Sequence, residues 1–134
     1  MNDHIHQQRE HQEHVANHAY DAVQDLTRAL NTATVTAPAA YAVLGNQKLM
    51  LSHLEEVNTR LIHGLQASLT DPRITITDCD FMTGTERDPV AQITYATRQL
   101  QTACNAIRSA AQAVAKAQEA LNGQGFTATA RIEV

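Results

Sequence analysis

Five of the seven histidines fall within the first 18 residues: His4, His6, His11, His14 and His18. His11 and His14 are three apart and His14 and His18 four apart, so on a helix all three share one face. Neutral imidazoles at i and i+4 are competent ligands for Zn²⁺, Ni²⁺ or Cu²⁺, with Glu10 or Asp21 near enough to contribute. The same cluster could act as a pH sensor, because protonated imidazoles repel one another. Against a hydrolytic metal site stands the order of the residues. The motif is not HExxH, since Glu10 precedes the first histidine of the set and no general base is placed. The plainer reading is a solvated helix end that takes up Zn or Ni adventitiously. No resident cofactor is expected.

Other constellations point away from catalysis. His53-Leu-Glu-Glu56 sets a histidine and a carboxylate three apart. Di-iron bundles use the reverse order, Glu-x-x-His, twice, and this chain has no Glu-x-x-His. Asp78-Cys79-Asp80, with Glu86 and Asp88, forms an acidic loop. As an EF-hand it would place Thr83 where the tight-turn glycine belongs and Pro89 where the bidentate glutamate belongs. The two aspartates raise rather than lower the thiol pKa of Cys79, and Cys104 sits in an alanine-rich helix as a small core residue. There is no GxSxG, Walker loop or GxGxxG, and the chain is read as a non-enzyme.

The elements that carry these residues follow from periodicity. From about 3 to 32, Val15, Ala19, Ala22, Leu26 and Ala29 recur at helical spacing, while residues 1–14 are polar all round apart from Ile5. A second helix is expected over 37–70, with Thr36 as cap and Pro38 in the first turn. Its stripe is Leu44, Leu51, Leu54, Leu61 and Leu65, with Val43, Met50, Val57 and Ile62 on a neighbouring one. Gln47 and Asn58 interrupt the seam as polar residues that set register or face solvent. Asp71-Pro72 ends this helix.

The third helix, 89–122, is the clearest. Ile93, Leu100, Ile107, Val114 and Leu121 repeat every seven residues, with Ala96, Ala103, Cys104, Ala110, Ala111 and Ala117 between them. That is coiled-coil packing, and the five large residues are the candidate interface, within the chain or between chains. Asp88-Pro89 reads as its N-cap and first residue, and Gly123 as a left-handed C-terminal residue. Between the helices, Arg73–Thr77 alternates with period two, the pattern of a short strand. Residues 126–134 alternate again as an extended tail.

The composition frames the whole. The chain has 134 residues, 43% of them hydrophobic and 22 of them alanine, with no Trp and only 18% charged. One domain spanning 1–134 can bury a core without disulfide or metal staples. The fold expected is all-α: an elongated antiparallel three-helix bundle, each helix roughly 45 Å long. The formal charge is −4, and ten scattered Lys and Arg give no basic stripe, so nucleic acid is not the expected partner. Protonating all seven histidines would carry the charge to +3. No apolar run approaches the ~20 residues of a membrane span, and no apolar h-region opens the chain. With two cysteines and no CxxC, a cytoplasmic location is expected.

Two stretches, Thr36-Ala-Pro-Ala-Ala-Tyr-Ala-Val-Leu-Gly45-Asn and Ala117-Gln-Glu-Ala-Leu-Asn-Gly-Gln-Gly-Phe126, resemble small helical-bundle proteins of high-GC Gram-positive bacteria. The likeness implies a helical bundle and no assigned activity. The paired long helices also resemble the type VII secretion hairpin, which would imply export without a leader. The sequence departs from that family in having no Trp-x-Gly between its second and third helices. The expected function is protein–protein contact, with self-association into a homodimer foremost. A metal-binding or pH-responsive module through His11, His14 and His18 is the alternative, and a leaderless secreted hairpin a third.

Overall fold

The computed structural model describes residues 3–31, 34–76 and 88–129. The fold is all-α, with three helices: α1 (Asp3–Asn31), α2 (Ala37–Ser68) and α3 (Pro89–Ala120). Their limits lie within two residues of those expected from the apolar periodicity. The chain divides into two compact units, Met1–Thr36 and Ala37–Val134.

The first unit is α1. Asp3 in its first turn and Arg28 in its last complement the helix dipole. Surface ion pairs at helical spacing join Arg9 to Glu13 at 3.6 Å and Arg28 to Asp25 at 3.5 Å. None of the helix's side chains is buried.

The second unit is built on α2 packed against α3. Contacts across the pair fix its sense. Gln118 Nε2 donates to the Tyr41 carbonyl at 3.3 Å, whereas Arg108 and Cys104 reach Glu55 and Cys104 also meets Thr59. Rising numbers on α3 therefore meet falling numbers on α2, and the helices are antiparallel. Ile93, Leu100, Ile107, Val114 and Leu121 are all half-buried along the face that α3 turns to α2. At the middle of that face Cys104 is 1% exposed, the one buried hydrophobic side chain among the described residues.

The helix ends follow their residue types. Asp88, with extended backbone, accepts from Val90 N at 3.0 Å, and Pro89 takes the first helical position, where its missing N–H costs nothing. After Leu121 the chain turns through Gly123 at φ 81°, a conformation that glycine adopts without a Cβ penalty.

The alternating residues 73–76 do not form the short strand that their pattern suggested. Pro72 and Asp71 impose a turn instead: Ile74 N donates to the Asp71 carbonyl at 3.1 Å, and the Asp71 carboxylate grips Arg73. Thr77 lies outside the described residues, as do Asp78, Cys79, Asp80 and Glu86 of the acidic loop. Residues 126–129 of the tail carry no regular structure and are exposed.

Candidate functional site

Two regions gather side chains that could recognise something. The first is the histidine face of α1. His11, His14 and His18 are all exposed, and the His14 and His18 rings meet edge-on with centroids 4.5 Å apart. Helical geometry brings this pair together because i and i+4 lie one above the other. Among the described residues no three His, Cys, Asp or Glu side chains converge as a metal-holding set. His11 thus shares the face without joining the pair in a ligand cluster.

The second region belongs to α2 and α3. On α2 the face against α3 holds Leu44, Leu51, Asn58 and Leu65 together with Glu55 and Ile62, all half-buried. Leu54 and Leu61, expected on the same stripe as Leu44, Leu51 and Leu65, are not there. They are 50% and 49% exposed, beside Val57 at 48% and Met50 at 37%. The reason is that α2 carries two apolar rows, each with a seven-residue repeat and separated by about 100° around the helix. The partner helix can cover only one. Asn58 lies on the covered row, as expected of a seam residue, whereas Gln47 is exposed.

The choice of row is visible in the polar contacts. Glu55 sits in the covered row because Arg108 answers it, with Arg108 Nε and Nη2 at 2.8 and 2.7 Å from Glu55 Oε1. The Glu55 carboxylate raises the Arg108 pKa further above its ordinary value, chiefly through that hydrogen bond. The Glu55 carbonyl also accepts from the Thr59 hydroxyl at 3.0 Å and lies 3.7 Å from Cys104 Sγ. A charge pair flanking the seam and a small thiol inside it are signals that α2 alone does not carry.

The uncovered row has a counterpart. Taking 3.6 residues per turn, Met50, Leu54, Val57 and Leu61 lie about a quarter-turn from the α2 seam, on the side away from the Glu55–Arg108 bridge. By the same count Ala96, Gln99, Ala103, Ala106, Ala110 and Ala117 lie a quarter-turn from the α3 seam, on that same side. The helix pair therefore has one broad face of large aliphatic side chains beside alanines, with Gln99 as the one long side chain on the α3 half of the row. No Asp, Glu, Lys or Arg falls on it. Charged groups such as Glu56, which holds Arg60 at 2.8 Å and has its pKa lowered by it, project elsewhere.

No helix among the described residues is long and apolar enough to cross a membrane. No family model, curated protein or solved structure matches this chain.

Proposed function

We propose that this protein is a non-enzymatic helical module that works by protein–protein contact and associates with itself. The observation that carries this reading is the row Met50, Leu54, Val57 and Leu61, spaced four, three and four apart on α2 and left uncovered by α3. Exposed large aliphatics scattered singly need no explanation, but a continuous row on a charge-free face marks an interaction surface. Its residue types provide no nucleophile, base or cofactor ligand, and they suit burial against another apolar helix. A cytoplasmic location is part of the same proposal, since free thiols such as that of Cys104 stay reduced there.

Light scattering on a size-exclusion column at neutral pH tests the reading. A mass above the 14.7 kDa of one chain at micromolar concentration is expected. A monomer at all accessible concentrations overturns self-association.

A second reading has one observation in its favour, the His14–His18 ring contact at 4.5 Å. A metal-binding α1 would show saturable Zn²⁺ or Ni²⁺ uptake by calorimetry, abolished in the double variant His14→Ala, His18→Ala. Uptake unchanged by those substitutions removes this reading.

A further inference from the structure

We propose that the uncovered face of the α2–α3 pair is a homodimer interface, in which a second copy packs face to face about a two-fold axis parallel to the helices. The proposal rests on the self-association reading above and specifies its geometry. Three features of the face select a second copy as occupant.

One is self-complementarity. The face is large on α2 and small on α3. An axis parallel to the helices lays each α2 over the α3 of the other copy, so the larger row of each copy meets the mainly alanine row of the other, as a two-fold contact requires. An axis across the helices would instead stack α2 on α2 and α3 on α3. Alanine faces pack near 8 Å and leucine faces near 10 Å, so straight helices could not close both contacts at once.

Register is another. Cys104 lies opposite Glu55 and Thr59, and Gln118 opposite Tyr41. A parallel two-fold preserves height along the helices, so the same correspondence holds between copies. Leu54 of one chain then falls level with Ala106 of the other, Val57 with Ala103 and Ala106, Met50 with Ala110, and Leu61 with Gln99, whose aliphatic stem it would cover.

Area and charge complete the case. Met50 is 37%, Leu54 50%, Val57 48% and Leu61 49% exposed, so the row offers apolar surface that the alanines beside it extend. A stable dimer buries about 800 Å² per partner, which a polar rim would complete. No Asp, Glu, Lys or Arg must be desolvated, in keeping with the depletion of charge at interface cores.

The test uses full-length protein in a Cys79→Ser background, with Leu54→Cys in one preparation and Ala106→Cys in another. Mixed and mildly oxidised, the two should give a covalent species of twice the chain mass, several-fold more than either gives alone. Strongest cross-linking by the Leu54→Cys variant alone would mean α2 on α2 and would overturn the geometry. A sample that is dimeric by light scattering but does not cross-link overturns the interface and leaves self-association standing. A monomer overturns both. Independently, Leu54→Lys should shift the mass to that of a monomer while circular dichroism stays helical; a folded, undiminished dimer would refute the assignment.

Discussion

Asp71 closes α2 by holding Arg73 three times over, through its backbone N–H at 2.9 Å and through Nε and Nη2 at 3.1 and 2.8 Å. These bonds favour the carboxylate, and the side-chain bonds to Arg73 contribute most to lowering its pKa from 3.8 to about 2. A depressed carboxyl pKa adds stability above its unfolded value and loses it as pH falls through the folded one. The Asp71 carboxyl should therefore titrate with a midpoint near 2 by NMR, and Asp71→Asn should flatten the acid dependence of stability below pH 4. At Cys104 the constraint is volume. A leucine there must fit where the thiol is 1% exposed against the Glu55 backbone, so Cys104→Leu should cost ~1–3 kcal/mol in denaturant unfolding through overpacking. That Cys104 is a core residue was legible from its place in the alanine-rich repeat. That its neighbours are a glutamate and a threonine was not, because those lie on another helix.

At the scale of elements, what was legible depended on how many solutions a pattern allows. One seven-residue row runs through α3, and it identified both the helix and the face that packs. Two rows run through α2, and the letters Leu44 to Leu65 fit either; only the Arg108 guanidinium, arriving from α3, distinguishes Glu55 as a seam residue. Over residues 73–76 the alternation misled because Pro72 and Asp71 determine the turn locally while a strand needs a neighbour to pair with. The histidine face was legible as a helix face, but spacing cannot say whether a third ligand completes the pair. Two glycines in α2 separate intrinsic propensity from packing. A Cβ added at Gly64 meets nothing within 4 Å, whereas one at Gly45 lies 2.7 Å from Gln118 Nε2. Gly64→Ala should raise stability by about 1 kcal/mol from helix propensity alone. Gly45→Ala should gain less in the same thermal or denaturant measurement, since Gln118 must give up its bond to the Tyr41 carbonyl, worth ~0.5–1.5 kcal/mol.

For the molecule as a whole, charge sets the colloidal behaviour and the apolar face sets the company it keeps. The sequence pI is about 5.9 with a formal charge of −4 at neutrality. Because repulsion between molecules vanishes as net charge does, solubility should be lowest near pH 5.9 and recover on either side. A turbidity series across that range checks it. Burying the Met50–Leu61 row in a dimer should leave less apolar surface to aggregate. Leu54→Lys, which opens the dimer and leaves Met50, Val57 and Leu61 on the surface, should accordingly give higher turbidity at its own isoelectric pH than the unchanged chain gives at pH 5.9.

The placement of Cys104 gives this chain a clock. A thiol enclosed between two helices reacts with a reagent in solution only when those helices part. In a Cys79→Ser background one covalent event per molecule would thus record one separation of α2 from α3. With reagent in excess the modification rate becomes the opening frequency itself, and at lower reagent it reports the open population. The most enclosed side chain of the pair is therefore also its natural timekeeper, marking from the inside how often the hairpin comes apart.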